Sequence, residues 1–447
     1  MSQIIDIILV NSTNSVWEKK SSTSNYVDIS NFTNSISPKR NKRFSISTDE
    51  SNGIINCSFD VEYKILNSEN NTFRIRGNYK SELNRLDLEI FLENLETHNH
   101  KKNSTISLGW ETEGVNECVF IGDVGNYIGP DIDTQSWMQE YRNILGDTPI
   151  QNLCITGSHD AGMYKITWKT GLASECNTLT QSNNIFEQLK LGIRYFDIRP
   201  TLSDGSFYTG HFNKTIVWEG ANGDNIQSII DQINVFTTRH NELILIRLDH
   251  SLNLDTGFWF SYIPFKQKEW MNLFKELEKI NHLYYHDGTS SILDLTLNQL
   301  TDNGTHSAVL FLVENKKTSV NLGGYHNKGF FYLSELNMYH KYSNTDSSFQ
   351  MGSDQFKKMN DYAPTQYFQL SWILTQNFIQ ITTCATGVSN SIRQLAEKAH
   401  DTLTESLYPQ ITATKYPNII LIDNVKNKAA TTLALAINWT VLSYNKE

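Results

Sequence analysis

The sequence predicts an α/β chain in two parts: an all-β, sandwich-like region over residues 1–130, then a (β/α)8 TIM-type barrel over 135–447. Three observations predict it. The 447 residues are about three times a common single-domain length. The early part holds short runs in which every second residue is apolar, as in FSIS (44–47) and CSFDVEY (57–63), the period of a strand with one wet face. From about residue 135 strand-like and helix-like segments alternate instead, as parallel α/β folds require.

Taken in order, the runs IIDIILVN, FSIS, GIINCSFDVEYKIL, NTFRIRGNY, LDLEIFLENL, STISLGW and NECVFIG are seven expected antiparallel strands, separated by Asn, Ser, Gly and Lys clusters. His98 and His100 lie in a charged loop with no ligand-spaced partner and are expected to be solvated. The boundary falls at NYIGPDIDTQSW, where Gly129 and Pro130 interrupt the pattern. Beyond it, CITGS, RYFDIRP, SFYTGHF, ELILIRL, AVLFLVE, GFFYLSEL, YFQLSWIL and NIILIDNV are the eight expected barrel strands. Between them NIFEQLKLG, DNIQSIIDQINVF (behind an Asp224 cap), EWMNLFKELEKI and SIRQLAEKAHDTLTESL carry apolar residues at helical spacing.

Composition narrows the function. Hydrophobic residues make up 39% of the chain, enough to bury real cores. Acidic residues outnumber basic ones 48 to 38, for a net charge of −10. That balance argues against a nucleic-acid partner, which needs a basic face. No apolar run approaches the roughly 20 residues that span a bilayer, so no transmembrane segment is expected. The opening stretch lacks a basic region and is broken by Asp6, unlike a secretory signal. The five cysteines are scattered without a CxxC pair and are expected to be reduced core thiols. Eight N-x-S/T sequons follow from an Asn-, Ser- and Thr-rich composition. The expected location is cytoplasmic, with transient membrane association.

Four pieces place ionisable residues at the ends of expected strands: GSHDAG (157–162), YFDIRP (195–200), YTGHF (208–212) and LIDNV (421–425). In a barrel the carboxyl ends of the strands share one mouth, so His159, His211, Arg199, Asp160, Asp197 and Asp423 can converge there. Two imidazoles and a guanidinium suit phosphodiester chemistry. One imidazole removes a proton from the attacking hydroxyl, the other protonates the leaving oxygen, and the guanidinium holds the charge that builds on phosphorus-bound oxygens. The aspartates would fix each imidazole's tautomer.

The succession GSHDAGMY, QSNNIFEQLKLGIRYFDIRP, GSFYTGHF and ELILIRLDH resembles the X domain of the phosphatidylinositol-specific phospholipases C, in particular bacterial and single-X-domain eukaryotic proteins. The resemblance extends through YFQLSWILTQ and PNIILIDNV, over roughly residues 140–440. It implies a distorted barrel. It also implies His159 as general base oriented by Asp423, His211 as general acid assisted by Asp160, and Arg199 as the phosphate-stabilising group. Diacylglycerol and a cyclic inositol phosphate would be the first products. Arg199 stands where the calcium-dependent relatives hold their ion, so no metal and no cofactor is expected. A cation held by Asp160, Asp197 and Asp249 would have to displace it. Arg247, Asp249, His250 and Glu314 depart from the bacterial headgroup contacts, which leaves another lipid headgroup open as substrate. A catalytically dead lipid-binding barrel would lack one of these residues, and none is missing.

A lipid substrate requires an apolar rim at a membrane surface. The run GFWFSYIPF (257–265), with Phe258, Trp259 and Phe260, is one candidate, and Tyr164 and Trp168 after GSHDAG are another. These aromatics either insert into lipid or pack beneath the following helix. Protein partners, oligomeric state and the role of residues 1–130 have no signal in the sequence.

Overall fold

The computed structural model describes all residues except 1–2, 50, 52, 68, 113, 215–217, 258–260, 316–318 and 445–447. The chain divides into two compact units. The first comprises residues 1–132, 400–413 and 435–447, and the second 133–399 and 414–434. Two helices, Ile392–Leu407 and Ala429–Tyr444, each contribute residues to both.

In the first unit all seven expected runs are in strands, within one four-stranded and one six-stranded sheet. Side chains from both sheets meet in one core that includes Ile7, Leu9, Trp17, Phe44, Tyr63, Phe73, Ile90 and Phe120. The alternation read in CSFDVEY is real: along Ser58–Ile65 buried and half-buried residues alternate strictly. Pairing is not antiparallel throughout, because Ile4–Thr13 lies parallel to Val115–Gly122. The strand Trp17–Asn25 escaped the sequence reading, since beyond Trp17 its residues are polar and face solvent.

The second unit is built on an eight-stranded, all-parallel sheet. Its strands in chain order are β1 (Ile155–Ser158), β2 (Tyr195–Ile198), β3 (Leu243–Leu248), β4 (Ala308–Val313), β5 (Phe330–Tyr332), β6 (Met338–Tyr339), β7 (Tyr367–Trp372) and β8 (Ile419–Ile422). They are ordered β5-β4-β3-β2-β1-β8-β7-β6, a barrel order with no pairing between β5 and β6 among the described residues. β2, β3, β4, β7 and β8 are buried at every position, which is why they read as mainly apolar runs, β4 and β8 without a break.

Two expectations need correction. SFYTGHF is not a barrel strand: Ser206–Lys214 belongs to a five-stranded, mainly antiparallel sheet with Pro200–Ser203 and Trp218–Asn225. The eighth barrel strand is the two-residue β6, too short to leave a pattern. The helix after Trp218–Asn225 is capped by Asn225, whose side chain accepts from the Gln227 N–H, and not by Asp224. Asp224 is buried and accepts instead from Tyr164, Lys165 and Ser228.

The cysteine expectation is also corrected. Cys176 and Cys384, 208 residues apart, form a disulfide, while Cys57, Cys118 and Cys154 are free and buried. Among the described residues no helix is long and apolar enough to cross a membrane.

Candidate active site

The carboxyl ends of β1, β2 and β8 and the neighbouring strand Ser206–Lys214 bring together the six residues singled out from the sequence. His159 follows β1, and its Nδ1–H donates to Asp423 Oδ1 at 2.7 Å from the end of β8. That bond fixes the tautomer and leaves Nε2 as the acceptor facing the site. Arg199, just past β2, donates from Nη2 to His159 Nε2 at 2.5 Å. The same guanidinium lies 3.4 Å from Asp160 and 3.5 Å from Asp197. His211 pairs through Nδ1 with Asp160 Oδ2 at 2.7 Å, so each imidazole has its own buried carboxylate.

Local backbone chemistry explains the placement. The turn after β1 carries Asp160 at φ 43°, a left-handed conformation that Asp adopts more readily than most residues. This aims Asp160 at His211 while its neighbour His159 turns to Asp423. Gly162 is required by close approach: a Cβ there would meet Thr209 Cγ2 at 2.3 Å. Gln181 braces the turn, donating to the His159 carbonyl at 2.9 Å and accepting from the Val425 N–H at 2.9 Å.

Burial would raise the Asp197 carboxyl, but the Arg199 and Arg247 guanidiniums outweigh it and hold the group below its usual value. Burial opposes the charge on Arg199, and Asp160 with Asp197 more than restores it. The cluster is left unsaturated: Asp160 Oδ1, Asp197 Oδ1, Arg199 Nε, and Arg247 Nε and Nη1 are buried without a hydrogen bond of good geometry. Unpaired buried polar atoms concentrated at one mouth are what a ligand would satisfy. Among the described residues no group of three or more His, Cys, Asp or Glu is arranged to hold a metal ion.

Two contributors were not anticipated. Asn213 Nδ2 lies 2.9 Å from His211 Nε2. It stands two residues beyond His211 on one strand, so the period of two would have placed it on the same face. The Tyr342 ring lies 5.4 Å from that of His159, centroid to centroid. It comes from an irregular segment that carries no sequence signal. Arg247, named from the sequence as a departure from the bacterial headgroup contacts, sits beside Asp197 in the β2–β3 register and ion-pairs with Asp249.

Of the expected rim, Phe258, Trp259 and Phe260 lie outside the described residues. Phe265, from the same run, packs beneath the following helix with its ring 5.5 Å from Trp270. Tyr164 is tied to Asp224, and Trp168 is 42% exposed.

No family model matches the chain. A mouse PI-PLC X domain-containing protein 2 is 26% identical over 157 residues, covering 29% of this chain and 43% of that protein. Its human counterpart is 26% identical over 157 residues, covering 29% and 48%. A PI-PLC X-box domain-containing protein of Dictyostelium discoideum is 22% identical over 137 residues, covering 28% of this chain and 18% of that protein. The matched segment is thus less than half the length of each curated relative. Among solved structures, the phosphatidylinositol-specific phospholipase C from Listeria monocytogenes aligns at TM-score 0.48 and 18% identity, over 68% of this chain and 99% of that one. A Staphylococcus aureus phosphatidylinositol-specific phospholipase C mutant aligns at 0.47 and 14%, over 68% and 97%. In sequence the chain resembles the PI-PLC X domain-containing proteins, as GSHDAG, YFDIRP and YTGHF led one to expect.

Proposed function

We propose that this chain is a phosphodiesterase that cleaves phosphatidylinositol-type lipids by two-histidine general acid–base catalysis without a metal ion. The observation that carries the reading is the pair of imidazole–carboxylate couples, His159–Asp423 and His211–Asp160, on either side of Arg199.

His159 Nε2 takes the proton of the inositol 2-hydroxyl, and that oxygen attacks phosphorus. The bond to the diacylglycerol oxygen breaks, and His211 delivers a proton to it. Arg199 holds the two non-bridging oxygens. At rest its Nη2 occupies the lone pair that His159 must use. A bound phosphate offers the guanidinium a charged acceptor and frees the base. Because the nucleophile belongs to the substrate, the first phosphate product is cyclic. The aspartates around Arg199 neutralise it until the phosphate arrives.

A second reading keeps the chemistry and changes the headgroup. It is favoured by the unsaturated Arg247 guanidinium beside Asp197, which suits an acceptor-rich headgroup. Purified protein on phosphatidylinositol vesicles with EDTA present, followed by phosphorus NMR, tests both. A cyclic phosphate signal is the expected result. A requirement for calcium sinks the metal-free mechanism. Silence on phosphatidylinositol with cleavage of another phospholipid moves the assignment to the second reading.

A further inference from the structure

The eight N-x-S/T sequons have no part in the chemistry above, and composition alone accounts for their number. The structure sorts them. Asn11 and Asn438 are buried, at 0% and 2% exposure. The Asn11 amide donates both its N–H groups, to the Ser15 and Ile36 carbonyls at 2.9 Å each, so the folded chain has no room for a sugar there. Asn213 is exposed, but its amide lies 2.9 Å from His211 Nε2 in the candidate site. The other five, Asn31, Asn56, Asn70, Asn103 and Asn303, are all exposed. Asn70, Asn103 and Asn303 have φ of 55°, 66° and 55°, the left-handed turn backbone that Asn adopts more readily than most residues. Asn303 precedes β4, so it lies at the amino end of the parallel sheet and opposite the mouth. Asn31 lies in a turn, with its Nδ2 donating to the Ser45 carbonyl at 2.9 Å. A side-chain amide has two N–H groups, and linkage to a sugar consumes one and keeps the other for that bond. Asn56 ends the short turn Ile54–Asn56.

An independent observation points to the compartment in which such sequons are used. Cys176 and Cys384 form a disulfide, a bond that persists in oxidising, secretory surroundings and is rare in reducing ones. An odd set of cysteines is a hazard there, because an accessible thiolate attacks existing disulfides. The three remaining thiols, Cys57, Cys118 and Cys154, are buried at 1%, 0% and 0% exposure. Burial also pushes the Cys118 and Cys154 thiols well above their usual value, which keeps them protonated and inert. The cysteines are thus disposed as an oxidising compartment demands, one pair closed and every free thiol out of reach.

We propose that the chain passes through an oxidising, secretory compartment and carries N-linked glycans at Asn31, Asn56, Asn70, Asn103 and Asn303. The donor class is a lipid-diphosphate-linked oligosaccharide. The Asn Nδ2 bonds to the first sugar carbon, and the bond from that carbon to the diphosphate oxygen breaks. The amide gives up one proton to a base, the lipid diphosphate leaves, and no electrons are exchanged. A glycan added to the emerging chain must still lie outside the folded protein, and exposure at these five positions meets that condition. A glycosylated chain is not cytoplasmic, contrary to the location expected from the sequence. The inference goes beyond the proposed reaction and does not rest on it.

The test uses the full chain purified from the cells that produce it, and its readout needs no turnover. Peptide N-glycosidase releases each glycan and turns the linked Asn into Asp, so digestion in heavy-oxygen water marks every occupied site for peptide mass mapping. Marks are expected at the five exposed sites and not at Asn11, Asn213 or Asn438. A sample without the enzyme corrects for spontaneous deamidation, to which Asn303 before Gly304 is prone. Thr305→Ala leaves Asn303 in place but destroys its sequon, and should lose that mark alone. Marks at fewer than three of the five sites, or a mark at Asn303 that survives Thr305→Ala, overturn the proposal. A mark at Asn11, Asn213 or Asn438 overturns the sorting by burial and contact. Alkylation of the denatured, unreduced chain should modify Cys57, Cys118 and Cys154 and leave Cys176 and Cys384 blocked. Modification of all five would place the chain in a reducing compartment and overturn the proposal as well. Turnover on phosphatidylinositol is measured alongside: its absence with the five marks present counts against the proposed reaction and not against glycosylation.

Discussion

Strand β2 carries a buried charge cluster at each end, and the two are finished differently. At its amino end Arg194 has no exposure and uses its guanidinium fully. Nε donates to Glu242, Nη1 to the carbonyls of Leu189 and Ile193, and Nη2 to those of Thr134 and Gln135. Glu242 in turn accepts from the N–H groups of Met138 and Gln139. At the carboxyl end Asp160, Asp197 and Arg247 are also buried and Arg199 largely so, and the four leave polar atoms without partners. A saturated cluster spends its polarity on holding the fold, and an unsaturated one keeps polarity for a ligand. The difference separates architecture from chemistry within one four-residue strand.

The sharpest way to break that contrast is to substitute both ends. His159→Gln and His211→Gln should each lower turnover on phosphatidylinositol by roughly 10²–10⁴-fold, the usual worth of a general acid or base. Their melting temperatures should stay close to wild type. Arg194→Met should do the reverse: it leaves Glu242 buried without its counter-ion and costs about 3–5 kcal/mol of stability, while the folded fraction keeps its turnover. Chemical denaturation and initial rates on the same samples decide it. Stability lost at His159 with rate retained, or rate lost at Arg194 with stability retained, would erase the distinction.

A smaller effect sharpens the open end. Asn213→Ala removes the amide 2.9 Å from His211 Nε2. One neutral hydrogen bond is worth about 1 kcal/mol, so turnover should fall roughly fivefold. Initial rates check it, and a rate identical to wild type would remove Asn213 from the site.

What the sequence made legible follows from where physics writes a short-range signal. The catalytic candidates stood out because they interrupt apolar runs at strand ends, and the structure brings all six together. The buried strands were visible because apolar residues dominate them, with breaks such as Asp197 and Arg247. The helix Ser348–Tyr362 was missed because its buried face is Met351, Gly352, Gln355 and Met359, with little apolar periodicity. Tyr342 and the disulfide were missed for another reason. Contacts between loops, one of them across 208 residues, are fixed by the sheet order and leave no local pattern. That disulfide also pulls against the cytoplasmic expectation, since such bonds persist mainly in oxidising compartments.

The open end also has a pH response. His340, next to β6, is pushed down to about 4, by burial first and then by the Arg247 guanidinium. Its Nδ1 lies 3.4 Å from the Met338 carbonyl, and Asp249 and Glu314 pull weakly the other way. An unfolded histidine titrates near 6.5, so between that pH and about 4 the folded chain binds fewer protons than the unfolded one. The stability this group contributes is complete above pH 6.5 and is lost as the pH falls toward 4, by no more than about 3 kcal/mol given partial access of water. Asp197, held below its usual value, keeps its contribution across that window and gives it up only in stronger acid. His340→Gln should therefore flatten the stability–pH curve between pH 6.5 and 4 while leaving the steeper loss below it. Denaturation midpoints of the two proteins at half-unit pH steps decide the point. Parallel curves would mean that the open end is no more sensitive to protons than the closed one.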